Sequence, residues 1–171
     1  MNFWLIQAIG LAGSLIVIGS VQFNNRRIVL VAQAIACGLW VVHYGLLGAM
    51  TAVCTNFISF ARSVVFYNNE KPWARHSIWL WLFIALFAAN SLLTWEGWPS
   101  ILPGAAMSLT TAALWTHDAR RMRLFYLCNS PFWLGYDLIC GSYSTALVEL
   151  CALVSYAAAI WRFDRPKSGG Q

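Results

Sequence analysis

The sequence predicts an all-α polytopic membrane protein. Seven transmembrane helices form two parallel three-helix repeats joined by a linker helix (3+1+3), with the N-terminus outside and the C-terminus cytoplasmic. Three observations predict it. The chain has 171 residues, of which 60% are hydrophobic and 10% charged. A soluble domain carries about 25% charged residues, so this chain cannot cover a water-facing surface. Its Lys and Arg all fall on one side of a seven-span threading, and the chain resembles itself when displaced by 93 or 94 residues.

A spanning helix needs about 20 mostly apolar residues. Such runs lie at 3–22, 28–47, 50–66, 77–94, 98–116, 122–140 and 143–160. The first is expected to be a spanning helix rather than a cleaved signal: no Lys or Arg precedes it, and it is longer than an h-region of about 7–15 residues. The connections are short: NNRR, Gly48-Ala49, NNEKPWARH, WEGW, HDARR and Gly141-Ser142. They leave no room for a soluble domain. The expected units are a first repeat at 1–67, a linker loop and fourth helix at 68–97, a second repeat at 98–161 and a polar cytoplasmic tail at 162–171.

The eleven basic residues follow span one (Arg26, Arg27), end span three and enter the next loop (Arg62, Lys71, Arg75), follow span five (Arg120, Arg121, Arg123) and fill the tail (Arg162, Arg165, Lys167). All lie on one side, which the positive-inside rule makes cytoplasmic. The net charge of +5 is thereby explained without a nucleic-acid partner. Arg62, near the cytoplasmic end of its span, is expected either to snorkel to the interface or to pair with an acid.

A displacement of 94 lays Gly10, Ala12, Ser14 and Leu15 on Gly104, Ala106, Ser108 and Leu109, and Arg26-Arg27 on Arg120-Arg121. One residue less, 93, lays Trp40 on Trp133, Gly48 on Gly141 and Asn56 on Glu149. Such self-similarity favours a duplicated three-helix unit. Three helices reverse direction, so an odd fourth helix restores the orientation of the second copy. Parallel repeats of this kind are related by an axis along the membrane normal.

The polar positions then pair. Gln33, Cys37, Trp40 and Tyr44 share a face of the second span, at spacings of four, three and four, as Asn129, Trp133, Tyr136 and Cys140 do in the sixth. Asn56 is in the third span and Glu149 in its place in the seventh. Trp40 and Asn56 each stand eight residues from the Gly48 turn, hence both at about 12 Å depth on adjacent antiparallel helices. These residues are read as a central substrate pocket, with flat aromatic faces and mid-depth hydrogen-bonding groups suited to a small polar solute such as a sugar. The competing reading is interhelical glue for Asn56 and a belt role for Trp side chains, which fits Trp4, Trp95, Trp98 and Trp161. Glu149 lies at a helix centre, where an acid normally faces a cavity or a partner. Asp137 is expected at a solvated mouth. Pro103, Gly104 and Pro131 interrupt spans five and six and are candidate hinges or gates.

No catalytic constellation is indicated. The three His (His43, His76, His117) are scattered, no HExxH or Gly-x-Ser-x-Gly occurs, and the five Cys are odd in number with no CxxC. Neither a disulfide framework nor a metal site follows, no cofactor is implied, and the absence of a Walker motif leaves ATP out. The expected partners are the lipid bilayer and a small polar solute; a homo-oligomer stays open.

Leu39-Trp40, Tyr44-Gly45 and the mid-helix Asn56 resemble the SWEET and SemiSWEET sugar transporters of the PQ-loop (MtN3-like) superfamily. That resemblance implies a three-helix unit present twice around a linker helix. It also implies a pocket of Trp40 and Asn56 from the first unit and Trp133 with Glu149 from the second, worked by alternating access as a facilitator or proton-coupled carrier. The chain departs from that family in lacking its Pro-Gln dipeptide and in carrying Glu149 where the sugar carriers have Asn. Over nearly its whole length it looks most like the YgjV-type bacterial inner-membrane proteins, which places it in the bacterial inner membrane. The alternative on the same fold is a non-transporting receptor or assembly protein.

Overall fold

A computed structural model describes residues 2–20, 26–116 and 118–163. The described residues form seven α-helices and no strand: α1 (Phe3–Ser20), α2 (Arg26–Leu47), α3 (Met50–Tyr67), α4 (Ile78–Leu93), α5 (Ile101–Trp115), α6 (Ala119–Cys140) and α7 (Tyr143–Phe163). Each coincides with an apolar run, and the differences are at the ends. A single 3₁₀ turn, Trp98–Ser100, leads into α5. α6 starts three residues early because the Asp118 carboxylate accepts from the Arg120 backbone N–H at 2.9 Å, an N-cap that satisfies an otherwise orphan donor. The NN of the first connection, His117 and nearly all of the expected tail lie outside the described residues.

Two helices, over Arg27–Leu47 and Tyr143–Trp161, are long and apolar enough to cross a membrane by length and composition, with mean hydropathy 1.8 and 1.5; Phe3–Gly19 and Ile78–Leu93 are shorter apolar helices. The outer surface agrees. Large apolar side chains stand outward all round, among them Leu93, 86% exposed, and Trp4, 74% exposed. Patches of that extent mark contact with something other than water.

The helices pack as a ring. α1 lies on α2 and α2 on α3; α5 lies on α6 and α6 on α7; α3 meets α5 and α7 meets α1, closing the circuit. α4 stands outside it, against α3 and α5. Two-residue turns join α2 to α3 and α6 to α7, and they are built alike. Gly48 has φ 77° and Gly141 φ 75°, the left-handed conformation that a residue with a Cβ adopts at a cost. After each, a backbone N–H reaches back over the helix end: Ala49 to the Tyr44 carbonyl at 2.9 Å, Ser142 to the Asp137 carbonyl at 2.8 Å. These are the 6→1 bonds of a Schellman cap.

α4 is tied to α3 by polar bonds at its far end. Asn90 Nδ2 donates to Thr55 Oγ1 at 2.9 Å and to the Thr51 carbonyl at 3.1 Å, and Thr51 Oγ1 donates to the Thr94 carbonyl at 2.8 Å. Interhelical bonds of this type hold helices together where burial of apolar surface cannot, because lipid is as apolar as the interface. Between α4 and α5, Gly104 permits the contact: a Cβ there would meet Ser91 and come within 3.1 Å of the Phe87 carbonyl.

That position corrects one expectation. Pro103 and Gly104 do not interrupt a span. They fall in the first turn of α5, where a missing N–H costs little because the first four N–H groups have no partner in the helix. Pro131 does lie inside a helix, and α6 runs through it unbroken.

The two turns should contribute equally to stability. Gly48→Val and Gly141→Val are each expected to cost about 1–2 kcal/mol, read as a lower unfolding midpoint in detergent, while Gly38→Val, at a helical position with open space around it, should cost less than either.

Candidate functional site

The ring encloses a cavity of about 150 Å³, walled by α1, α2, α3, α5, α6 and α7 and by nothing from α4. α2 brings Gln33, Trp40 and Tyr44 to it, α3 brings Asn56, α6 brings Asn129, Trp133 and Asp137, and α7 brings Thr145 and Glu149. Steps of three and four along each helix put these side chains on one face. Trp40 and Asn56 thus border one cavity, as their equal distance from the Gly48 turn requires.

The indole of Trp40 is fixed by α1. Its Nε1 donates to the Gly10 carbonyl at 3.3 Å, and Gly13 leaves room beneath the ring, where a Cβ would come within 3.0 Å of it. Asn56 is fixed by its own helix, Nδ2 donating to the Ala52 carbonyl at 2.9 Å. Trp133 stacks on Tyr44, with centroids 6.1 Å apart and planes at 25°.

Tyr136 is not in the wall. It stands edge-on to Trp133 at 6.1 Å and tilted to Tyr44 at 6.4 Å, supporting both rings. After Asn129 and Trp133, the next residue on that face can be three or four along, and the rotation of α6 selects Asp137. This overturns a second expectation. Asp137 is not at a solvated mouth but 1% exposed, and its Oδ1 accepts from the Tyr44 hydroxyl at 2.6 Å. The Thr145 hydroxyl lies beside the same carboxylate.

The end of the ring nearest Asp137 is plugged. Gln7 bridges the turn, its Nε2 donating to the Gly141 carbonyl at 2.8 Å and its Oε1 accepting from Ser144 N at 2.9 Å. His43 is wholly buried between helices, Nδ1 at 2.8 Å from the Ile6 carbonyl and Nε2 at 2.6 Å from Ser142 Oγ. Since a carbonyl only accepts, Nδ1 carries the proton and Nε2 accepts from Ser142. Ser142 in turn is hydrogen-bonded to Thr145. Polar bonds therefore join α1, α2, α6 and α7 across this end, next to Asp137.

Sequence reasoning missed part of the wall: Ser14 and Val17 of α1, Met107 and Thr110 of α5, Tyr126 of α6 and Tyr156 of α7. Tyr126 was within reach of the 93-residue displacement, which lays Gln33 on it. Tyr126 and Tyr156 stack at 5.4 Å with planes at 13°. Buried Asn129 Oδ1 and Ser130 Oγ have no protein partner. Among the described residues no group of three His, Cys, Asp or Glu could hold a metal ion.

Arg62 is corrected too. It neither snorkels nor pairs with an acid: it is 0% exposed, Nη1 donates to Thr111 Oγ1 at 2.9 Å, the guanidinium lies 5.6 Å from the centre of the Phe87 ring, and Nε and Nη2 lack partners. α3 turns this side chain towards α4 and α5, away from the interface.

A family model described as a bacterial inner membrane protein, Imp-YgjV, matches residues 4–167. No curated protein and no solved structure matches the chain.

Two stability measurements test the polar arrangement. Tyr44→Phe leaves a buried carboxylate oxygen without its donor and should lower stability by about 1–3 kcal/mol; adding Asp137→Leu should cost less than the two single losses combined. Arg62→Met should leave the midpoint unchanged or raise it, because an incompletely bonded buried cation carries a desolvation penalty of several kcal/mol; a clear fall would show that Thr111 and Phe87 offset it.

Proposed function

The chain belongs to the Imp-YgjV family of bacterial inner membrane proteins, and from that premise we propose that it is a SWEET-like transporter of a small polar solute. The carrying observation is the cavity itself: a space of about 150 Å³ between two sets of three helices, with matched positions from both in its wall. An empty apolar cavity of that size admits a benzene-sized molecule, so this one has room for a small ring or its equivalent.

The reading takes all seven helices as spans, with the N-terminus outside. It takes residues 1–67 and 98–161 as copies about an axis along the membrane normal. Several features support the duplication. The Gly48 and Gly141 turns share one conformation, and exchanging α1–α3 with α5–α7 leaves the pattern of contacts within the ring unchanged, α4 standing outside it. Ser14 and Ser108, superposed by the 94-residue displacement, both bond back one turn, to the carbonyls of Gly10 and Gly104.

Alternating access follows from the same geometry. The polar chain at Asp137 closes the end with the glycine turns, which is the outer end in this topology. Opening that end requires α1 and α2 to part from α6 and α7. Tyr44–Asp137, His43–Ser142 and Gln7–Gly141 are the bonds that break. Pro131 is the place where α6 can bend, since it offers no N–H to the carbonyl one turn before it. Gly104 is read as a packing glycine and Pro103 as a helix start. We assign no catalytic step: His43 and Ser142 form a buried structural pair without access to a substrate.

Flux through proteoliposomes tests the proposal. Counterflow of a solute identified by binding should occur with wild-type protein and fall at least about tenfold with Trp133→Ala or Asn56→Leu, without loss of folded protein. Solute binding in the absence of any counterflow would make the protein a receptor instead.

A further inference from the structure

We infer that the solute is a small organic ammonium ion, received by the Glu149 and Asp137 carboxylates and by the indole rings of Trp40 and Trp133. This rests on the transport reading and names its substrate class.

The first argument is charge. The wall holds two carboxylates, Asp137 and Glu149, and no Lys, Arg or His. The ion pairs among the described residues, Arg27–Glu70 and Arg121–Asp118, lie elsewhere, on exposed side chains. The buried Arg62 is engaged by Thr111 and Phe87 and is not in the wall. A cavity whose wall holds acids and no cation favours a cation over an anion.

The second argument is the balance of donors and acceptors. Five of the wall's donors are spent on the protein. The Trp40 indole N–H goes to Gly10, the Asn56 amide N–H to Ala52, the Ser14 hydroxyl to Gly10, the Thr110 hydroxyl to Ala106 and the Tyr44 hydroxyl to Asp137. Among the acceptors beside the space are the Glu149 carboxylate and the buried, unpartnered Asn129 Oδ1. A sugar hydroxyl seeks a donor as well as an acceptor, whereas an ammonium group needs acceptors only. The same oxygen atoms that are costly when unpaired are satisfied by its N–H groups or its charge.

The third argument is the aromatic wall. Trp40, Tyr44, Tyr126, Trp133 and Tyr156 all border the cavity. Ring faces attract cations through their quadrupole, Trp most strongly, and cages of such rings beside acids are the usual means of holding ammonium ions. At about 150 Å³ the space suits an ammonium compound of a few carbons.

The test uses the full chain in detergent and in proteoliposomes, with four probes: choline, ethanolamine, glucose, and 3,3-dimethylbutan-1-ol, which has the shape of choline without its charge. Affinity is read by calorimetry and by the unfolding midpoint, which rises with ln(1 + [L]/Kd). The expected result is that an ammonium probe binds and that Glu149→Gln weakens it by at least about tenfold. The uncharged isostere should bind correspondingly worse than choline; this comparison is made on wild-type protein and decides the point even where the variant does not fold. Equal binding of choline and its isostere overturns the inference. Binding of glucose but of neither ammonium probe overturns it and leaves the transport reading standing. Ammonium binding without counterflow of labelled choline keeps the cation site and removes the transport reading. Binding of no probe removes the inference.

Discussion

The hydrogen bond from Tyr44 to Asp137 is the interaction around which the rest of the ring is arranged. A buried carboxyl group is costly unless it is hydrogen-bonded, and it persists only with partners. Tyr44 supplies one at 2.6 Å, and the turn beyond supplies cover. Satisfying Asp137 fixes the rotation of α6 against α2, and that rotation decides what else faces inward. Trp133 is one turn from Asp137, and Trp40 one turn from Tyr44. Both therefore reach the cavity at one depth. Positions 44 and 137 are also superposed by the 93-residue displacement.

Elsewhere the polar side chains obey the same constraint in a cheaper way. On α3, Thr55, Ser59 and Ser63 each donate to the carbonyl one turn before, at 2.7–2.9 Å. A polar stripe can thus run through the interior with its hydroxyl donors already satisfied. This separates glue from site. The groups with a protein partner hold helices or themselves in place. Asn129 Oδ1, buried beside the cavity without a protein partner, stands apart from them. Arg62 breaks the pattern, with two unsatisfied N–H groups in a fully buried position; such an arrangement is kept at a cost to stability.

The plugged end and the cavity are physically coupled. Gln7, His43 and Ser142 bond across four helices within one or two turns of Asp137. Any movement that admits water to that carboxylate must separate the same helices that wall the cavity. That end of the ring is thus tied by directional bonds between helices.

Composition and hydropathy alone determined that the chain is helical, that it lives in a membrane, and where each helix begins and ends to within a few residues, because hydrocarbon forbids unsatisfied backbone and sets a minimum length. Spacing also singled out the site: Gln33, Trp40, Tyr44, Asn56, Asn129, Trp133 and Glu149 all border the cavity, since steps of three and four define a face whatever the neighbours are. What the sequence left open was which way each face turns. Steps of three and of four are equally compatible with one stripe, so Tyr136 and Asp137 exchanged roles. Depth along a helix does not give burial, so Asp137 was assigned to a solvated mouth and Arg62 to the interface or to an acid. Only the packing of α6 against α2, and of α3 against α4 and α5, decided these cases. Rotation about a helix axis is set by which partners its polar groups find, and those partners lie 35 to 93 residues away.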